Sequence, residues 1–232
     1  MNRILLADDD IELTEMLKEY LDRESFDIDT AHDGQIALEK ALQHAYDLVI
    51  LDVMMPRLNG FDILRQLRQH SQVPVLILTA RGDDVDSVIG LEIGADDYLA
   101  KPCDPRVLVA HMRAILRRSG QLSSALSGNE KLIIDDIELH RGTRLVTSSG
   151  EKITMTSTEY SVLEQLMEQA GQVVTKEQLS ERVLGRKLSP YDRSLDMHIS
   201  NLRKKLGTTV DKQDRIITVR GVGYQYLRSD DA

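Results

Sequence analysis

Short, uninterrupted apolar runs recur through the first half of this chain: Ile4–Ala7, Leu48–Leu51 and Val75–Leu78. Such strands belong in a sheet covered on both faces, which is the setting of parallel strands packed between helices. Phe26–Thr30 and the short Tyr98–Leu99 complete a set of five candidate strands. Stretches of helical period lie between them. Leu13, Met16, Leu17, Tyr20 and Leu21 form one apolar stripe, Ile63, Leu64 and Leu67 a second, and Val107, Leu108, Met112 and Ile115 a third. Pro105 occupies a first helical position behind an Asp104 cap. Five βα units predict an α/β fold, a doubly wound (βα)5 parallel sheet with its functional site at the carboxyl ends of the strands.

After Arg118 the pattern changes. Residues 119–129, SGQLSSALSGN, carry six Ser or Gly and no charge, as a linker would. Short β-like segments follow (Leu132–Ile134, Ile137–Leu139, Leu145–Thr147, Lys152–Met155), then helices expected over Thr158–Gln169 and Lys176–Leu184 behind Ser157 and Thr175 caps. A third helix is expected from Asp192 to Leu206, stopped by Gly207, and a hairpin over Ile216–Val219 and Tyr224–Leu227. The organisation is therefore 1–118, a linker at 119–129, and an α+β domain at 130–232.

The single cysteine, Cys103, excludes an internal disulfide framework and any multi-cysteine metal site. With no Trp and only 2 Phe, a stacking platform for single strands is excluded as well. No apolar run approaches the ~18–20 residues needed to span a bilayer, and the first apolar stretch is too short for a signal peptide. A soluble, cytoplasmic protein is expected.

At the strand ends the chemistry concentrates. Asp8, Asp9 and Asp10 follow the first strand and Asp52 ends the third. Where strands one and three are neighbours, these carboxylates converge. At about 4 Å they repel by roughly 1 kcal/mol even in water, so the cluster needs a cation. Oxygen-only ligands select Mg²⁺ or Mn²⁺. Asp10, just ahead of a helical stripe, reads instead as a helix cap. Thr79 ends strand four, and Lys101 follows strand five ahead of Pro102, with which it could form a cis bond. A hydroxyl and an ammonium beside Asp52 and a metal make a pocket for a phosphoryl group.

These motifs, ILLADDD (4–10), DLVILDVMMPRLNG (47–60), LTA (78–80) and GADDYLAKP (94–102), closely resemble those of response-regulator receiver domains over residues 1–118. The resemblance implies that Asp52 accepts the phosphoryl group and that Asp8, Asp9, Asp52 and the Met54 carbonyl hold Mg²⁺. It also implies that Thr79 and Lys101 bind the phosphoryl oxygens, and that Thr79 and Tyr98 form the switch. A sensor histidine kinase would be the donor. The domain would catalyse only its own phosphorylation and dephosphorylation, and no enzyme acting on an external substrate is implied. The rival reading, a phosphohydrolase with an aspartyl nucleophile, lacks the second Asp such enzymes place two residues on, where this chain has Met54.

Whole-chain charge is −9, which taken alone argues against nucleic acid. Its distribution says otherwise. Residues 119–232 carry 16 basic and 16 acidic residues, and Arg186–Arg228 holds ten Lys/Arg against four Asp. The Asp192–Leu206 helix has an apolar stripe (Leu195, Ile199, Leu202, Leu206), leaving Arg193, His198, Ser200, Asn201, Arg203 and Lys204 for a DNA major groove. Thr218, Arg220 and Tyr224 flank a Gly-Val-Gly turn that suits a phosphate-touching wing.

TMTSTEYSVLEQL (154–166), GQVVTKEQL (171–179), DMHISNLRKKL (196–206) and ITVRGVGYQY (217–226) are similar to the winged helix-turn-helix domain of the OmpR/PhoB family. The stretch VLGRKLSPYDRSLDMHISNLRKKL (183–206) is most like the family's envelope-stress members. The resemblance implies double-stranded DNA and RNA polymerase as partners, and a phosphorylation-dependent homodimer that binds tandem promoter half-sites. Its dimer face would use Ile89, Glu92, Asp97, Val107, His111 and Arg113. Ser87 and Val107 stand where the family usually has a charge pair, and His111 where Arg usually answers Asp97 across subunits. The expectation is a more apolar face, centred on Val107 and Ile89, with an intersubunit His111–Asp97 pair that weakens as pH rises. Cys103 replaces a usual Phe near the phosphorylation site and reads as a packed thiol, with redox sensing the alternative.

Overall fold

The apolar runs of the first half are the strands of one parallel sheet: β1 (Asn2–Ala7), β2 (Phe26–Ala31), β3 (Leu48–Asp52), β4 (Val75–Ala80) and β5 (Asp97–Lys101), in the order β2-β1-β3-β4-β5. They are seen in a computed structural model, which describes residues 1–80, 84–120, 131–189, 192–208 and 213–228. The chain divides into two compact units, Met1–Ser119 and Gly120–Ala232. From residue 121 onward, the expected linker lies outside the described residues.

Alternate residues of each central strand serve opposite faces. Ile4 and Leu6, Leu48 and Ile50, and Leu76 and Leu78 pack against Leu17 and Leu21 of α1 (Ile11–Arg23) and Leu108, Met112 and Ile115 of α5 (Pro105–Arg118). The other face is covered by α2 (Gly34–Gln43), α3 (Gly60–His70) and α4 (Asp84–Ile93). Ile63, Leu64 and Leu67 of α3 have no exposed surface at all, and each such side chain contributes roughly 1.5–3 kcal/mol. Asp10 caps α1 by accepting from Leu13 N at 2.9 Å, and Asp104 caps α5 with Pro105 in its first turn. Each strand exceeds its sequence-expected span by at least one residue. Helices α2 and α4 carry no stripe that stands out in the sequence. The buried face of α2 is mostly small (Gly34, Ala37, Leu38, Ala41), and α4 is apolar over most of its length (Val85, Val88, Ile89, Leu91, Ile93).

The second unit opens with an antiparallel sheet of β6 (Lys131–Ile134), β7 (Ile137–His140), β8 (Leu145–Ser148) and β9 (Glu151–Ile153). Helix α6 (Ser157–Glu168) follows, capped by Thr156, and not by Ser157 as the sequence suggested. Thr156 and Glu159 complete each other's hydrogen bonds in a capping box. The helix expected over Lys176–Leu184 divides into α7 (Lys176–Leu179) and a π-helical turn, Ser180–Leu184, closed by Gly185 in the left-handed region at φ 71°. Helix α8 is Ser194–Leu206, two residues shorter than expected. Asp192 is drawn off by Arg186, and accepts from Ser194 N at 2.9 Å and Ser194 Oγ at 2.6 Å. Strands β11 (Ile216–Val219) and β12 (Gly223–Tyr226) form the hairpin, with β10 (Val173–Thr175) beside β12. The last was not anticipated, since three residues carry too little pattern.

One glycine decides how β3 leaves the sheet. Gly60 N donates to Val53 O at 2.9 Å, and a Cβ on Gly60 would stand 2.2 Å from the Asp52 carbonyl oxygen. Backbone cannot yield as a side chain can. Gly60→Ala is expected to cost about 3 kcal/mol, seen as a lower urea midpoint for the first unit at unchanged slope. Gly142→Ala, with nothing within 4 Å, is the control and should leave the second unit's midpoint unmoved.

Candidate functional site

The β1/β3 boundary, where strand order reverses, gathers the acidic residues at the carboxyl edge. Asp8 follows β1 directly. Its N–H donates to Ala31 O at 3.0 Å, and its Oδ1 accepts from Asp10 N at 3.1 Å. Asp52 closes β3. Asp8 and Asp52 are buried and Asp9 is exposed, and ligand atoms from all three lie within 4.8 Å of one another. Lys101, the last residue of β5, reaches over both buried carboxylates, with Nζ 2.5 Å from Asp8 Oδ2 and 3.0 Å from Asp52 Oδ2. The Lys101-Pro102 peptide is cis.

Burial pushes the Asp52 carboxyl above its ordinary range, and the charge of Asp8 adds to this. Lys101 and the Met54 backbone N–H pull the other way without overcoming it. For Lys101 burial opposes the charge, but Asp8 and Asp52 outweigh it and hold the ammonium above its usual range. One ammonium for three carboxylates leaves the cluster short of positive charge. The donor set is all oxygen, with Asp9 open to solvent, so these residues fit a hard divalent cation such as Mg²⁺. The Met54 side chain points to solvent, 73% exposed.

Thr79, beyond the register partner of Asp52 on β4, has a buried Oγ1 with no hydrogen-bond partner among the described residues. A buried hydroxyl left unmatched is costly and rare, which marks a place prepared for an acceptor. Tyr98 is half-buried as the second residue of β5. Cys103 packs against the core, and burial pushes its thiol up, so it is not an activated nucleophile.

On the α4–α5 side the expected partners Asp97 and His111 meet within one chain. Asp97 is fully buried, and its Oδ2 lies 3.0 Å from Nδ1 of His111 in the same chain, while Oδ1 accepts from Tyr98 N at 3.0 Å. Within this chain that carboxylate is already paired with His111. Arg113 is paired with Glu24 of its own chain at 2.7 Å, and Glu92 is exposed. Val107 is 43% exposed and Ile89 half-buried.

In the second unit the expected groove-facing set divides. Arg193, Thr218 and Arg220 are exposed and Ser200 half-buried. Arg203 is half-buried and committed to the hairpin, donating from Nε to Ile216 O and from its terminal nitrogen to Thr218 Oγ1, both at 2.8 Å. His198, Asn201 and Tyr224 are corrected, being 1%, 6% and 2% exposed. The Tyr224 hydroxyl is spent on Asp196, which also holds Lys176 at 2.6 Å. Tyr224 thus ties the hairpin to α8, while Lys204 remains at the surface. Among the described residues no helix is long and apolar enough to cross a membrane.

Comparison with known proteins agrees with this geometry. The response regulator receiver domain family matches residues 4–113, and the family of C-terminal domains of transcriptional regulatory proteins matches residues 150–226. The transcriptional regulatory protein CpxR of Klebsiella pneumoniae is 50% identical over 227 residues, which is 97% of each chain. Among solved structures, a RitR mutant superposes with a TM-score of 0.76 at 29% identity, covering 99% of this chain and 100% of that one. The response regulator DrrB, an OmpR/PhoB homolog of Thermotoga maritima, gives 0.52 at 30% identity over 98% and 99%.

The buried triad makes a pH-dependent prediction. Lys101→Met leaves two buried carboxylates without a counter-charge, an expected loss of about 3–5 kcal/mol. A carboxyl raised in the folded state opposes folding once ionised, and that penalty disappears as pH falls through its folded pKa. Removing Lys101 raises Asp52 further. The gap in melting temperature between variant and parent should therefore be widest near neutrality and narrow on mild acidification.

Proposed function

The chain belongs to the CpxR-like response regulators, which are phosphorylation-dependent transcription regulators, and on that premise we propose that Asp52 is the phosphoacceptor and the last quarter of the chain the DNA reader. The receiver is 1–118, the linker 119–129 and the winged-helix domain 130–232. The observation that carries the reading is the unmatched Thr79 hydroxyl beside the Asp52–Lys101 pair.

Asp8, Asp9, Asp52 and the Met54 carbonyl would hold Mg²⁺, which supplies positive charge to offset the carboxylates and the incoming phosphoryl oxygens. An Asp52 carboxylate oxygen attacks phosphorus. The new O–P bond forms as the bond to the donor's histidine nitrogen breaks, and the released imidazole takes a proton from solvent. Lys101 shifts part of its charge from the carboxylates to the phosphoryl oxygens, and Thr79 Oγ–H finds its acceptor there. With Thr79 drawn to the phosphoryl group, Tyr98 follows, and the α4–α5 side repacks.

A sensor histidine kinase is the proposed donor, and the response is envelope stress, as in the CpxR relatives. The phosphorylated receivers pair as a homodimer through the apolar part of α4 and α5, Val107 and Ile89, with Glu92 and Arg113 at the rim. Arg193, Ser200, Lys204, Thr218 and Arg220 face the DNA, and RNA polymerase is the machinery the DNA-bound dimer acts on, in the cytoplasm.

Asp52→Asn is expected to abolish beryllofluoride-induced dimerisation in analytical ultracentrifugation. A variant that still dimerises with beryllofluoride sinks the assignment of Asp52. For the reader, Arg220→Ala should weaken DNA binding across sequences alike and reduce the slope of log K against log salt by about 1. Affinity selection from random DNA, with and without phosphorylation, supplies the duplex for that titration.

A further inference from the structure

Three consecutive residues at the junction of β2 and α2, His32, Asp33 and Gly34 (the first residue of α2), touch both loops that carry the acidic site. We propose that this segment is a brace that positions the metal-binding carboxylates, with His32 its principal positioning residue. The inference rests on the Mg²⁺ site proposed above.

The first arm is His32. Its Nδ1 lies 3.1 Å from the backbone carbonyl oxygen of Asp8. A carbonyl only accepts, so Nδ1 carries the hydrogen and donates, which fixes the tautomer whatever the state of Nε2. Thr14 Oγ1 stands 3.5 Å from the same nitrogen while donating its own hydrogen to Ile11 O at 2.9 Å. Since the Asp8 N–H is already held by Ala31 O, the residue is gripped at both of its peptide groups. The gripped carbonyl belongs to the peptide that joins Asp8 to Asp9. His32 therefore orients the link between the buried carboxylate and the exposed one.

The second arm runs to the loop after Asp52. Asp33 caps α2 with Oδ1, accepting from Gln35 N at 2.8 Å and Ile36 N at 3.2 Å, and turns Oδ2 to Arg57 Nε. Arg57 sits at φ 67°, in the left-handed region where a glycine would be easier, so its side chain has to justify the residue. The Gly34 N–H donates to Pro56 O at 3.1 Å, and a Cβ on Gly34 would fall 1.8 Å from Leu58 O. Both contacts fix the course of Met54–Asn59, the loop that begins beside Asp52. The pair Asp33–Arg57 is largely open to solvent on the arginine side, so its part is directional and adds little stability.

Outer-shell partners of metal ligands typically change affinity by 10–100-fold when removed. The test is isothermal titration of the full-length, unphosphorylated protein with Mg²⁺ alone, alongside melting in chelator. The amide nitrogen of asparagine overlays Nδ1 of histidine, whereas that of glutamine overlays Nε2. His32→Asn should bind Mg²⁺ within about twofold of the parent, and His32→Ala and His32→Gln about tenfold more weakly. Arg57→Ala, an exposed change that leaves folding intact, should weaken Mg²⁺ by about threefold or more. Parent-like affinity in either His32→Ala or Arg57→Ala overturns the two-armed brace, as does an Asn variant as weak as the Ala one. A parent that binds no Mg²⁺ overturns instead the metal site on which the brace rests.

Discussion

A single ammonium held between two buried carboxylates is the constraint around which the first unit is arranged. Neighbouring strands lie about 4.8 Å apart, and β5 is separated from β3 by β4, so Lys101 has to span roughly 10 Å to reach Asp52. Only a long, flexible cation does that, and it does so with most of its stem out of water. The strand order β2-β1-β3-β4-β5 follows from the same need, because it sets Asp8 and Asp52 on neighbouring strand ends within reach of one lysine. One ammonium cannot neutralise both buried carboxylates, and Asp9 remains besides. The site is therefore short of positive charge where a cation would bind.

The second unit depends on another buried cation. Arg215, almost wholly buried, pairs with Asp136 at 2.7 Å, and it donates to Thr208 O at 3.2 Å and Leu206 O at 3.3 Å. It joins the turn between β6 and β7 to the end of α8, where the last carbonyls of a helix lack partners within it. Asp136 is held below the usual carboxylate range, since Ser148 and Arg215 outweigh the opposing effect of burial.

How far the sequence carried the reading depended on whether a residue's job was local. The apolar runs of β1, β3 and β4 are visible because burial on both faces leaves no alternation, and the Asp10 and Asp104 caps are visible because a cap acts within three residues. Asp8, Asp9, Asp52, Thr79 and Lys101 stood out because a polar group closing an apolar strand is expensive unless used. What stayed hidden was decided by contacts distant in sequence. His198, Asn201 and Tyr224 look like surface polars on a helix and a wing, and only the tertiary packing of the second unit buries them. The contact of Asp97 with His111 within one chain was hidden too, because the two sit on different elements. The His32–Gly34 brace carries no pattern at all, since each of its residues answers to a different loop.

The tie between Arg203 and the Ile216–Thr218 edge makes α8 and its hairpin one body before any DNA arrives. In the proposed complex with DNA, the conformational entropy of positioning the wing against the helix is lost during folding and not on association. Heat-capacity change on binding would accordingly report the contact surface itself, without the large additional burial that accompanies coupled folding. In the proposed complex, a rigid reader would add to its direct contacts a preference for DNA that deforms easily to meet it.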